Sequence, residues 1–358
     1  MLSSRIVLLH GAVNTSNFGD VLFVKMFYES VIKRGDVPVF ITKGPYRISD
    51  FNIGELSLDE NDPAFHTSVN KADILIMISG GYFGDNTRGI LSASRRWLRY
   101  FSIGLLFALR KKEILILGVG GAPLYNWFNR LSARIIMNRA NKICVRDEDT
   151  AAYFEKIGVV KPIKITADTA LAITAANLPA LEDEMAVNCF INGRKAILLH
   201  LTGISKQDED INRVIIPELI AFLKKEKDTC IFLTYDNQIK RKIEDTSVFS
   251  SLKEYDPYVY DYHSAMQLCS LLNRMDTIIT TKLHVGIIGC SLGKSVLSFP
   301  MHKHKTKRFY DRIGYSERCR SFFELKEGSV ISFLEHYHCL PISVPAEIRK
   351  AALENLSY

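Results

Sequence analysis

At 358 residues the chain exceeds one ordinary domain and suits two α/β domains, with 47% hydrophobic residues to fill their cores. The formal net charge of +7, spread rather than massed in a tail, suits anionic partners and argues against a nucleic-acid-binding arm. Seven cysteines without a CxxC pair fit a reducing compartment, and no apolar run reaches the roughly 18 residues of a membrane span. The apolar stretch Ile6 to Leu9 is too short for a signal peptide, so the expected location is cytoplasmic.

In chain order, "RIVLLHG" predicts a strand, "NTSNFGD" a loop, and Val21 to Lys33 a helix closed by Gly35. "VPVFIT" and "DILIMISGG" follow as strands, separated by a polar stretch to about Asn70. A long helix from about Ser92 to Arg110 leads into the strand "EILILGVGG". Next come a helix near Trp127 to Arg139, the strand end "KICVRDED", a helix ending at Gly158, and "IKITAD". Continuous apolar runs between helices indicate buried parallel strands covered on both faces. From Thr174 to Asn192 the rhythm stops, and the acids Glu182, Asp183 and Glu184 suggest a linker over residues 176–192. A second alternation runs through "KAILLHL", "TCIFLTY", "YVYDY", "DTIIT" and "SVLSF", with helices near Ile211 to Lys225 and Ala265 to Leu272. The expected architecture is α/β, with two Rossmann-like domains, residues 1–175 and 193–358, facing across a cleft.

Candidate chemistry gathers where strands end, the usual ligand edge of open α/β sheets. "GCSLGKS" imitates a phosphate-binding loop, but only three residues separate Gly289 from Gly293, and the segment runs from helix to strand. "SGGYFGD" follows a strand, and Gly80 and Gly81 would let backbone approach a ligand, with Asp85 behind them. The plain alternative is a tight strand-to-helix turn. "NTSNFGD" stands in the same position after the first strand. Asn14, Asn17 and Asp20 either cap the following helix or, with Gly19, admit an anion to its N-terminus. In "CVRDED", Arg146 ends a strand ahead of three acids; it suits a bidentate grip on phosphate or carboxylate, or else an ion pair with one of those acids. Asp168 in "ITADTA" reads as a helix cap. At "TTKLHVG", Lys282 and His284 flank Leu283; a lysine at a buried strand end calls for an anion, and the imidazole could serve as a general acid. The alternative is a hydrogen-bonded core histidine beside a snorkelling lysine. "MHKHKTKRF" adds a basic cluster that includes Lys305 but lacks the spacing of a metal site.

With "NTSNFGD", "SGGYFGD", "CVRDED" and above all "TTKLHVGIIGCSLGKSVLSFP" in order, the chain resembles the polysaccharide pyruvyl transferase family from Gly11 to about Gly314. The family usually reads Arg-Leu-His where this chain has Lys282, which keeps the charge and loses the planar fork. The resemblance implies a fold like two-domain GT-B glycosyltransferases, phosphoenolpyruvate as co-substrate, no metal or other cofactor, and a sugar or lipid-linked oligosaccharide acceptor. It also implies a donor site at Arg146, Lys282, Leu283 and Lys305 with His284 as the acid. A nucleotide-sugar glycosyltransferase and a non-catalytic glycan-assembly protein are the competing readings, and no nucleic acid is expected. "SASRRWLRYFSIGLLFALRKKE" reads as a sheet-covering helix with basic ends, or as a peripheral contact with the inner membrane face.

Overall fold

The computed structural model describes residues 4–13, 17–42, 57–59, 67, 69–84, 89–121, 123–237, 241–301 and 305–358. The chain forms two compact units: Met1–Ser16, Asp20–Ala172 and Glu347–Tyr358 in the first, Asn17–Gly19 and Ile173–Ala346 in the second.

The first unit is built on a parallel sheet. Its strands are β1 (Ile6–His10), β2 (Val37–Thr42), β3 (Ser57–Asp59), β4 (Ile74–Met77), β5 (Gly80–Phe83), β6 (Glu113–Gly121), β7 (Lys142–Val145) and β8 (Lys164–Ile165). They lie in the order β3-β2-β1-β4-β6-β7-β8, with β5 beside β6. Leu8 of β1 pairs with Val39 on one side and Leu75 on the other. From β1 the chain builds outward in one direction and restarts from β4 in the other, which puts a topological switch point between them. Because strands buried on both faces need apolar residues throughout, β4 and β6 read as unbroken hydrophobic runs. Phe83, Phe101 and Phe154 meet edge-on in the core, with ring centroids 5.6 and 5.7 Å apart.

The second unit repeats the plan with β9 (Lys195–His200), β10 (Thr229–Thr234), β11 (Tyr258–Tyr260), β12 (Thr277–Thr280) and β13 (Ser295–Ser298), all parallel in the order β11-β10-β9-β12-β13. Its switch point lies between β9 and β12. Helix Leu283–Ser291 follows β12, and its glycines serve packing. A side-chain carbon at Gly286 would fall 2.8 Å from Tyr310 Oη, and one at Gly289 2.8 Å from both Ile278 and Val296. That is why the phosphate-loop look-alike is small-residue rich without being a phosphate loop.

Several elements differ from the sequence reading. The first helix begins at Phe18, not Val21, because Asn17 Oδ1 accepts from Gly19 N at 3.2 Å and starts the turn early. Gly80 and Gly81 lie not in a strand-to-helix loop but within β5, where Gly80, at φ +153°, turns the chain back into the sheet beside β6. The long helix near residues 92–110 is interrupted by a π-helical turn at Trp97–Phe101. Residues 176–192, expected as a linker, group with the second unit: Ser270 Oγ donates to Pro179 O at 2.8 Å, and Phe190 packs edge-on against Phe232 at 5.2 Å. The last twelve residues, 347–358, expected with the C-terminal domain, group with the first unit. Asn355 is fully buried there, accepting from Thr166 Oγ1 at 2.8 Å and donating to Ala167 O and Thr169 Oγ1 at 2.9 Å each.

Candidate functional site

In the second unit, three neighbouring strands deliver polar groups to one edge of the sheet. β9 ends in His200, β10 is followed by Asp236, and β12 by Lys282 and His284. His200 and Asp236 are buried, and His200 Nε2 lies 3.3 Å from Asp236 Oδ1. Lys282 Nζ reaches the same carboxylate oxygen at 3.8 Å while a third of its side chain stays exposed. Burial alone would push the Asp236 carboxyl up; His200 first, then Lys282 and His284, outweigh it and hold the carboxyl below its usual range. Asp236 O also accepts from Phe18 N at 2.9 Å. In the segment after β9, Asp208 accepts from Thr202 N and Oγ1 at 2.9 Å each. Burial pushes its carboxyl up, opposed by those hydrogen bonds and by His200.

Lys282 caps the helix Leu283–Ser291, its own N–H donating to Thr280 Oγ1 at 3.0 Å. Leu283 and His284, both half-buried, therefore occupy the first turn, where the positive end of the helix dipole favours an anion. Gly19 is packed against the imidazole: an added side-chain carbon would stand 2.0 Å from His284 Nδ1. Only glycine leaves the ring its present position. Lys305 opens the helix Lys305–Arg312, which packs through Tyr310 on Gly286. Such an arrangement can hold an anion at Lys282 and the helix end, and can hand a proton from His284 to whatever binds there.

Arg146 belongs to the first unit, where acids surround it. It follows β7, is 9% exposed, and its Nη1 contacts Asp168 Oδ2 at 3.2 Å and its Nε Asp147 Oδ2 at 3.6 Å. Gly120 admits the guanidinium, since a side-chain carbon there would lie 2.4 Å from Nε. Asp147 caps the next helix, accepting from Thr150 N at 2.8 Å, and Asp168 accepts from Ala170 N at 3.1 Å. Asp168 is thus both the cap expected and an arginine partner. Asp20 stands in the first turn of helix Phe18–Lys33, while Asn14 and Asp85 lie outside the described residues, as do His302, Lys303 and His304. Among the described residues no three His, Cys, Asp or Glu side chains gather as a metal-ligand set.

His200 and Asp236 escaped the sequence reading. His200 lies at the end of the strand run "KAILLHL", one residue before its last leucine, and Asp236 directly follows "TCIFLTY". A search for titratable residues after every strand would have raised them beside Lys282.

The model of the polysaccharide pyruvyl transferase family matches residues 17–302. No curated protein matches the chain significantly. Among solved structures, the UDP-GlcNAc 2-epimerase of Neisseria meningitidis bound to UDP-GlcNAc is similar at TM-score 0.64 and 14% identity, covering 98% of this chain and 99% of that one. That of Methanocaldococcus jannaschii, in complex with UDP-GlcNAc and UDP, is similar at TM-score 0.60 and 12% identity, covering 98% of each. A glycosyltransferase of Rickettsia africae is similar at TM-score 0.57 and 14% identity, covering 99% and 93%. At these identities the likeness concerns the fold alone, two parallel-sheet α/β domains of the GT-B-like kind.

Proposed function

The chain belongs to the polysaccharide pyruvyl transferase family, and on that premise we propose that it takes the pyruvyl unit of phosphoenolpyruvate and closes it as a cyclic ketal across two hydroxyls of a sugar. The sugar would belong to a cell-surface polysaccharide or its lipid-linked precursor. The observation that carries this reading is the pairing of Lys282 and His284 at a helix head, with Asp236 fixed behind the lysine.

In this scheme Lys282, the N-terminal end of that helix and Lys305 receive the donor's phosphate and carboxylate. His284, protonated, gives its proton to the methylene carbon, which becomes the methyl group, and the adjacent carbon gains oxocarbenium character. A first sugar hydroxyl adds there and its proton returns to the imidazole. The carbon–oxygen bond to phosphate then breaks, a second hydroxyl adds, and its proton leaves with the phosphate. Two hydroxyl protons thus account for one new methyl hydrogen and one protonated phosphate. Asp236 stays ionised and keeps the ammonium in place as negative charge moves onto the leaving phosphate. Arg146 of the first unit is proposed as an anion-binding group, with Asp20, Gly80 and Gly81 of that unit and Asn17 and Gly19 of the second as acceptor-side positions.

Thermal protection by donors tests the reading. Phosphoenolpyruvate at about 100 times its Kd should stabilise the protein by roughly 2.7 kcal/mol, and UDP-sugars should not. Protection by UDP-GlcNAc and none by phosphoenolpyruvate would assign the chain a nucleotide-sugar ligand instead, the class of molecule that the two epimerase structures hold.

A further inference from the structure

From Asn86 to Arg146 the chain carries twelve Lys and Arg residues and a single acid, Glu113. The whole chain nets only +7, so this span holds the positive excess and the remainder is net negative. Two helical stretches of the first unit come from it, residues 90–109 and Trp127–Arg139, and neither contains an Asp or a Glu. They pack side by side: Trp97 Nε1 donates to Ser132 Oγ at 2.9 Å, and Ile136 fills the space left by Gly104. Phe101 and Phe107, which made the first stretch look like a membrane-contact helix, are buried in the core.

The residues left outside are unusual for a solvent face. Trp127, Leu131 and Ile135 recur every fourth residue and are 68%, 45% and 39% exposed. Arg130, Arg134 and Arg139 stand exposed along the same helix, and on its neighbour the exposed Leu98 lies between the exposed Arg95 and Arg99. Arginines four residues apart, without an acid to separate them, weaken a helix by mutual repulsion. A water-facing surface gains nothing from that pattern. Beside the Trp127 stripe opens a cleft of about 540 Å³, floored by Leu124 and Ile157 and rimmed by Arg130, Arg134, Lys156 and Tyr125. Its walls are mainly apolar and its rim carries three cations, the chemistry of a phosphate joined to hydrocarbon.

We propose that this face of the first unit docks on an anionic phospholipid bilayer, seating a headgroup phosphate among Arg130, Arg134 and Lys156 while Trp127, Leu131 and Ile135 enter the headgroup boundary. The excess of cations supplies the attraction to anionic lipid, and the aromatic and aliphatic stripe supplies the shallow burial of a surface-bound helix. Among the described residues no helix is long and apolar enough to cross a membrane, so the contact is one of surface. A nucleic acid would match the cations but leave Leu131 and Ile135 nothing to stack on, and a second copy would bring like charge against like. Docking of this face on lipid does not depend on which donor the enzyme uses.

Flotation of the full chain with vesicles tests it. Vesicles with about 30 mol% phosphatidylglycerol should carry the protein at low salt and release it in about 0.5 M salt, and neutral phosphatidylcholine vesicles should not carry it. Combining Arg130→Gln, Arg134→Gln and Lys156→Gln should lower the partition coefficient roughly 100-fold, about fivefold per cation, with thermal unfolding unchanged. Trp127→Ser with Leu131→Ser should also weaken binding while leaving its salt dependence. No flotation with anionic vesicles at low salt, equal flotation with neutral ones, or an unchanged triple variant would overturn the proposal. So would displacement from vesicles by glycerol phosphate, which would assign the cleft a free phosphate, or by single-stranded DNA, which would assign the face a nucleic acid.

Discussion

Gly19→Ala adds one carbon whose ideal position lies 2.0 Å from His284 Nδ1, 2.4 Å from Cγ and 2.7 Å from Cε1. Carbon tolerates such neighbours only at about 3.5 Å, so the imidazole must retreat by about 1.5 Å. The backbone itself welcomes the change. Gly19 is in the first turn of helix Phe18–Lys33, and alanine in a helix is favoured over glycine by up to about 1 kcal/mol. The ring, the end of a short side chain, can swing aside, so stability should change by no more than about 1 kcal/mol. A displacement of that size at a reacting group costs about 100-fold in rate. The expected outcome is kcat for phosphate release from phosphoenolpyruvate down about 100-fold, with urea unfolding nearly unchanged. The double variant with His284→Ala should turn over no more slowly than His284→Ala alone, because the ring that the methyl displaces is already gone. Near wild-type turnover in Gly19→Ala, or full additivity in the double variant, would refute the reasoning that the position of this imidazole sets the rate.

Asp236→Asn should raise KM for phosphoenolpyruvate more than it lowers kcat, whereas Lys282→Arg should retain activity; steady-state kinetics on both variants checks this. Because the Asp236 carboxyl is held below the usual range, its contribution to stability is complete above the ordinary carboxylate pKa and is lost as pH falls through the lowered one. Urea unfolding of Asp236→Asn should therefore lose part of the wild-type acid sensitivity below about pH 4. Burial holds the His10 imidazole down to about 4, opposed by its hydrogen bond to Tyr100 O, so it stays neutral in the fold. Its stabilisation is therefore full above pH 6.5 and declines by about 3 kcal/mol as pH falls to about 4, a slope that His10→Asn should remove from the unfolding profile. Asn355→Ala strands the partners of three buried hydrogen bonds and should cost roughly 2–4 kcal/mol in urea unfolding, although it lies at the far end of the chain from most of its unit.

The strands were the most legible part of the fold, because burial on both faces writes them as unbroken apolar runs such as those of β4 and β6. The Lys282–His284 junction was legible for the opposite reason: two ionisable groups stood where packing needs none. Short-range chemistry misled at two points. Gly19 and Asp20 read as loop residues, yet the Asn17 side chain starts the helix before them. Gly80 and Gly81 carry no strand pattern, yet pairing with β6 makes them one. What could not be read at all depends on contacts between distant segments. The burial of Asn355 against Thr166 and Thr169 returns the C-terminus to the first unit. His200, Asp236 and Lys282 meet only once β10, β9 and β12 lie side by side.

Phosphate release from phosphoenolpyruvate over a panel of free and lipid-linked sugars, with the product weighed by mass spectrometry, tests the account at its centre. The expected result is acceptor-dependent phosphate release matched mole for mole by a sugar carrying one pyruvyl ketal, reduced about 100-fold or more in His284→Ala. Sugar transfer from a UDP-sugar with no phosphoenolpyruvate consumed, or ketal formation at the wild-type rate by His284→Ala, would contradict it.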